Sequence, residues 1–93
     1  MDMKKISRTQ NRNPLSELSR GEYVVGAKQL KKAVRAGRVR LVFLARNADP
    51  AVTDPLEDLC RTNSIPIIWV PTMAELGRSC GIEVGAAAAA ALN

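Results

Sequence analysis

Ala86-Ala87-Ala88-Ala89-Ala90-Ala91-Leu92 is the stretch whose reading decides the fold. Alanine is the best helix former, and propensity alone makes this run a helix. The remaining sequence argues for a strand. Its other extended segments are short, so the sheet they build needs a further element, and a strand pressed beneath helices on both faces has room only for small side chains. With the alanine run as a strand, the chain reads as α/β: a three-layer α/β/α sandwich around a central mixed four-stranded sheet.

The other elements are read outward from there. Val39 to Ala45 is rich in branched and aromatic side chains, broken only by Arg40, as suits a central strand; Ile65 to Val70 is a second such run. Between them, Asp54-Pro55-Leu56-Glu57 offers an N-cap, a proline at the first helical position and an acid at the third, with Leu56, Leu59 and Cys60 on one face. The spacing predicts a helix from there to about Asn63, and Asp49-Pro50 upstream reads as a turn. Thr72-Met73-Ala74-Glu75 is a capping box that opens a short helix, which Gly81 stops as a left-handed cap.

Upstream, Gly26 to Gly37 follows the apolar triplet Tyr23-Val24-Val25 and reads as a basic amphipathic helix. At about 100° per residue, Lys28, Lys31, Lys32 and Arg35 fall on one arc, and Ala27, Leu30, Ala33 and Val34 on another. One face is cationic and the other packs on a sheet. Its first turn presents backbone N–H groups beside Lys28 and Gln29, which suits a phosphate-rich ligand. Residues 1–13 carry Lys4, Lys5, Arg8 and Arg12 without apolar periodicity and are expected to form a flexible basic tail. Pro14 opens one or two helical turns over Leu15 to Ser19, ended by Gly21, and residues 14–93 form a single domain.

Charge is distributed unevenly. The chain of 93 residues has a net charge of +5, yet residues 1–46 hold twelve Lys/Arg against three Asp/Glu, giving +9, and residues 47–93 hold two against six, giving −4. That asymmetry points to a polyanion bound by the N-terminal half. No apolar run reaches the ~20 residues of a membrane span, and no signal-peptide pattern is present, so the chain is expected to be cytoplasmic. Cys60 and Cys80 lack paired spacing, the chain has no His, and in a reducing compartment both read as small buried thiols. The sequence shows no nucleophile elbow, no phosphate-binding GxxxxGK[ST] and no acid cluster fit for a metal, so neither catalysis nor a cofactor is expected.

From Glu22 to Leu92 the chain resembles the L-seven-Ae ribosomal protein superfamily, and within it the small bacterial kink-turn-binding members of the YbxF type. Four blocks carry the resemblance in order: Val25 to Gly37, Val42 to Pro50, the segment with Cys60, Ile65-Pro66, Val70-Pro71 and Leu76-Gly77, and Cys80 to Ala86. The resemblance implies that the alanine run is a strand and that the ligand is a kink-turn, a sharply bent RNA duplex with a bulge followed by sheared G·A pairs. By the same resemblance, Gly26 lets the backbone approach the RNA, and Lys28 and Gln29 sit at the guanines of the sheared pairs. Lys32 reaches a guanine edge or phosphate, and Ile82, Glu83 and Val84 line a loop against the bulged nucleotides. Lys28-Gln29 stands where archaeal members have Asn-Glu, which places the chain with the bacterial branch. Ile67 stands where the signature has an aromatic residue, a difference that concerns packing.

The implied partner is structured RNA containing a kink-turn, in ribosomal RNA, a riboswitch or an mRNA leader, bound by a ribosome-associated monomer without a membrane. The alternative on the same fold is a protein-interaction or general ribosome-associated module. Lys31 and Arg35 read equally as a solvated helix face; for Ile82 and Val84 core packing is the lesser alternative to an exposed loop, and Trp69 reads as core or sheet-edge packing rather than a base-stacking platform.

Overall fold

The computed structural model describes residues 21–93; the expected tail over residues 1–13 and the helical turns from Pro14 to Ser19 lie outside the described residues. The elements run β1 (Tyr23–Val25), α1 (Ala27–Arg35), β2 (Val39–Ala45), α2 (Pro50–Thr62), β3 (Ile67–Val70), α3 (Met73–Ser79) and β4 (Ala88–Leu92). The alanine run is a strand. It lies inside a four-stranded sheet of order β1-β4-β2-β3, antiparallel to β1 and β2, while β2 and β3 are parallel. The sheet is therefore mixed, and β1, β2 and β3 all point the same way.

Burial explains why alanine overrides its helix propensity here. All five β4 residues are buried, with Ala88, Ala90 and Leu92 in a core cluster with Leu30, Ala33 and Val34 of α1 and Leu56 and Cys60 of α2. Ala89 and Ala91 face the opposite way, into a cluster with Phe43, Leu76 and Cys80. Thus α1 and α2 cover one face of the sheet and α3 the other, and methyl side chains let helices approach the central strand from both sides. Cys60 and Cys80 fall in different clusters, and burial raises the pKa of each thiol, with the Glu57 carboxylate adding to the effect at Cys60. Both are packing residues on opposite faces of the sheet.

Three boundaries differ from the sequence expectation. Strand β4 begins only at Ala88, two residues into the alanine run that starts at Ala86. Helix α2 starts at Pro50, not Pro55: Asp49 is the N-cap, and its Oδ1 accepts from the Ala51 N–H at 2.9 Å. The chain contains two Asp-Pro pairs, and either can open a helix; the first prevails because Pro55 is accommodated inside α2 on an exposed face. There the Ala51 carbonyl, left without the Pro55 N–H, can turn to water. Strand β3 starts at Ile67 because Ile65 still belongs to the end of α2, its N–H donating to the Cys60 carbonyl at 2.9 Å. Pro66 has no N–H to give the ladder, and its carbonyl accepts from Val42.

The three helices of the described residues stop in the same way. The residue after the C-cap takes positive φ, and two N–H groups fold back onto the last carbonyls: Gly37 and Arg38 onto Val34 and Ala33, Ser64 and Ile65 onto Arg61 and Cys60, Gly81 and Ile82 onto Arg78 and Gly77. Gly81 thus stops α3 as its sequence position foretells. At the end of α2 the left-handed residue is Ser64, at φ 58°, where a Cβ is unfavourable. Replacing Ser64 by Gly is expected to raise unfolding free energy by about 1 kcal/mol, read as a higher urea midpoint at unchanged m-value.

Candidate nucleic-acid interface

Helix α1 starts at the end of edge strand β1 through one residue, Gly26, with φ 100° and ψ 152°. That backbone conformation is almost restricted to glycine. The Gly26 N–H donates to the Ala88 carbonyl at 2.9 Å and its carbonyl accepts from Leu30 at 3.0 Å, so the turn is bonded on both sides. Helices α2 and α3 have side-chain caps, Asp49 and Thr72, whereas no side chain caps α1 and its first turn contains no acid. The first-turn N–H groups and the positive end of the helix dipole are left open to an external anion.

The side chains on this helix divide as their spacing predicts. Leu30, Ala33 and Val34 are buried; Lys28, Gln29, Lys32 and Arg35 are exposed, and Lys31 is half-buried. Among the described residues, none of these four cations lies within ion-pair distance of a carboxylate, whereas Arg38 pairs with Glu22 at 3.1 Å and Arg61 with Glu57 at 3.0 Å and Asp58 at 2.9 Å. Gln29 and Lys32, with Arg38, edge an open cavity of about 240 Å³ floored by Val24, Ala33 and Leu92. The Gln29 amide and Lys32, unpaired among the described residues, stand above an apolar floor and can engage a nucleotide's polar and apolar parts together, while Arg38 is held by Glu22.

The second candidate segment, Ile82-Glu83-Val84, is exposed, with Ile82 at 36% and Val84 at 70% of full accessibility. Core packing of these two side chains is thereby replaced by a solvent-facing apolar pair. The loop that bears them is fixed from below. Its start is the C-terminal motif of α3, its end is held by the Ala86 N–H on the Met73 carbonyl at 3.0 Å, and its middle lies directly on Gly77, where a Cβ would run into the Val84 carbonyl oxygen. The start of α3 is held in turn by Asn47, whose Oδ1 accepts from the Met73 N–H at 2.8 Å, and by Thr72, whose Oγ accepts from Glu75 at 3.1 Å. The Tyr23 hydroxyl donates to the Cys80 carbonyl at 2.7 Å, tying the root of the loop to β1.

Strand register brings the two segments together. Val25 at the end of β1 is paired with Ala89 near the start of β4, and the loop feeds β4 through Ala86 and Ala87. Gly26, Lys28 and Gln29 leave the sheet at the rim where Ile82 to Val84 arrives. The ends of β2 and β3 share that rim, since the Ala45 N–H donates to the Ala87 carbonyl at 2.9 Å and the Arg46 N–H to the Val70 carbonyl at 2.8 Å. Asn47, Gly77 and Tyr23 position this surface and were not singled out by the sequence for that role. Only Gly77 leaves a trace there, as a glycine inside a helical pattern.

A family model described as the ribosomal protein L7Ae/L30e/S12e/Gadd45 family matches residues 10–93. Similar sequences include a protein named as RNA-binding from Caldanaerobacter subterraneus subsp. tengcongensis, 48% identical over 67 residues that cover 72% of this chain and 82% of that protein. Another, named in the same way, is from Halalkalibacterium halodurans, 42% identical over 69 residues, covering 74% of this chain and 84% of its relative. Among solved structures, the Giardia lamblia 15.5 kD RNA binding protein aligns with a TM-score of 0.76 and 26% identity, over 85% of this chain and 67% of that one. A protein of unknown function from Bacillus halodurans aligns with a TM-score of 0.75 and 30% identity, over 85% and 83% of the two chains. With one family model spanning all the described residues and relatives matched over most of their own length, the chain belongs to the L7Ae/L30e/S12e/Gadd45 family.

Proposed function

We propose that the protein binds structured RNA, that its target is the kink-turn, and that it acts as a ribosome-associated monomer in the cytoplasm. The observation that carries this reading is the convergence at one rim of a basic helix start, Gly26 to Lys32, that has no side-chain cap and no carboxylate partner among the described residues, with a rigid loop exposing Ile82 and Val84. The bacterial relatives, named as RNA-binding proteins, support the broader half of it.

The chemistry divides between the two segments. Gln29 both donates and accepts and so can read a base edge, while Lys28 and Lys32 only donate and suit guanine acceptors or phosphate. Ile82 and Val84 offer apolar contact to unstacked bases, which a duplex does not present and a bulge does. Glu83 between them is a carboxylate acceptor for base amino groups. A sharp bend crowds phosphates, and the α1 cations offset that repulsion. Because the two segments are fixed relative to each other, the surface fits the bent RNA better than the extended one, and binding shifts the RNA toward the bend by that difference in affinity.

Fluorescence transfer between the two ends of a labelled kink-turn in buffer without divalent ions tests this reading: added protein is expected to raise transfer, and RNA that stays extended contradicts it. Within the α1 segment, Gln29→Ala is expected to reduce discrimination against an RNA with its G·A pairs replaced by about 1–3 kcal/mol, whereas Lys32→Ala weakens binding to the kink-turn. Both effects are read by titration against the two RNAs. In the loop, Ile82→Ala and Val84→Ala are expected to keep unfolding free energy within about 0.5 kcal/mol of the parent while binding the kink-turn more weakly. A clear loss of stability with normal binding would return those side chains to a purely structural role.

A further inference from the structure

We infer that Arg46, stacked on Trp69, is a third contact of the same interface and takes a backbone phosphate of the bound RNA; the inference rests on the RNA-binding reading above. Arg46 is the first residue past β2 and is exposed, with its backbone N–H fixed on Val70. Its guanidinium carbon lies 5.4 Å from the centroid of the Trp69 ring. Trp69 is half-buried in edge strand β3 and packs against the cluster shared by α1 and α2, so the indole is a fixed platform. Among the described residues no carboxylate pairs with Arg46, in contrast to Arg38 and Arg61.

Position makes this arginine part of the interface. Gly26 bonds to Ala88 and Ala45 to Ala87, so β4 stands between the start of α1 and the end of β2 at the rim. Two strand spacings, about 10 Å, separate the two exits. The stacking on Trp69 puts Arg46 on the face covered by α1 and α2, the face on which Lys28 begins its helix. Seen along the rim, the exposed groups then run from Lys28 and Gln29, past the root of the Ile82–Val84 loop, to Arg46.

The chemistry favours a phosphate over a base edge. The guanidinium sits over the indole at cation–π distance, and its planar array of N–H donors is suited to two parallel bonds to one phosphate. Stacking also restricts the side chain before the RNA arrives, so less rotamer freedom is lost on binding. A phosphate contact adds affinity without reading sequence.

The test compares Arg46→Gln, Arg46→Lys and parent, titrated over a salt series with a labelled kink-turn and with the same RNA carrying replaced G·A pairs. Arg61→Gln, on an ion-paired arginine, serves as the control. Arg46→Gln is expected to weaken binding to both RNAs by a similar, several-fold factor and to lower the magnitude of the log–log salt slope by about 0.7–0.9. Arg46→Lys is expected to keep the slope and lose part of the affinity, and the emission of Trp69, the single tryptophan of the chain, to change when RNA binds the parent. Equal urea midpoints for parent and variants separate these effects from folding, and Arg46→Lys carries the test if Arg46→Gln is unstable. Parental affinity and slope in Arg46→Gln overturn the inference while leaving the RNA-binding reading intact. A loss confined to the kink-turn, with unchanged slope, overturns the phosphate assignment, and a parent that binds neither RNA overturns both.

Discussion

Burial of β4 on both faces is the constraint on which the rest of the structure depends. A strand of Ala88-Ala89-Ala90-Ala91-Leu92 between β1 and β2 contributes little side-chain volume of its own. Its small size lets α1 pack against one side and α3 against the other, with Leu30 and Leu76 fully buried at those contacts. Larger side chains in β4 would push the helices away from the sheet. They would also move Gly26, which is hydrogen-bonded to Ala88, and the loop that leads into β4 from Val84. The strand that closes the core thus holds both parts of the candidate interface at one rim.

Electrostatics and geometry act together at that rim. The helices α2 and α3 satisfy their own first turns with Asp49 and Thr72 and so have no need of an outside anion. Helix α1 has a glycine there instead, with cations at Lys28, Lys31, Lys32 and Arg35 and no carboxylate partner for them among the described residues. The excess of acids in the second half of the sequence is carried in part by α2, where Glu57 and Asp58 bind Arg61. Cations without a carboxylate partner among the described residues thus include those of α1, Arg46 past β2 and Arg78 in the last turn of α3, which leads into the loop of Ile82 and Val84. Under the proposed function, polyelectrolyte attraction would supply affinity and the fixed spacing between α1 and the loop would supply selectivity for shape.

Much of the fold is legible in the sequence because local signals agree with burial. Val39 to Ala45 is apolar on both faces and becomes a central strand with those bounds; Thr72 and Gly81 mark both ends of α3 through side-chain and backbone hydrogen bonds that depend on near neighbours. The alanine run is legible only when its setting outweighs its propensity. Where two local signals compete, as at Asp49-Pro50 and Asp54-Pro55, sequence alone does not rank them, since either can cap and the choice depends on the face that Pro55 presents to solvent. At the site, the cationic arc of α1 and the exposure of its residues follow from helical spacing. The meeting of Gly26 with the Ile82–Val84 loop does not, because it is set by the pairing of Val25 with Ala89, more than sixty residues apart. For the same reason the stacking of Arg46 on Trp69 is invisible until β2 and β3 are placed side by side.

The central claim is that α1's first turn and the Ile82–Val84 loop form one surface for one RNA. Nuclear magnetic resonance mapping of backbone amides during titration with a kink-turn RNA tests it most directly, because the open N–H groups of Ala27, Lys28 and Gln29 report on the contact themselves. The account predicts that these amides, together with those of Gly26, Lys32 and Ile82 to Val84, shift in parallel with one saturation curve, while those at the C-terminal end of α2 around Arg61 stay unchanged. Shifts centred on α2, or separate saturation of the helix start and the loop, would contradict it.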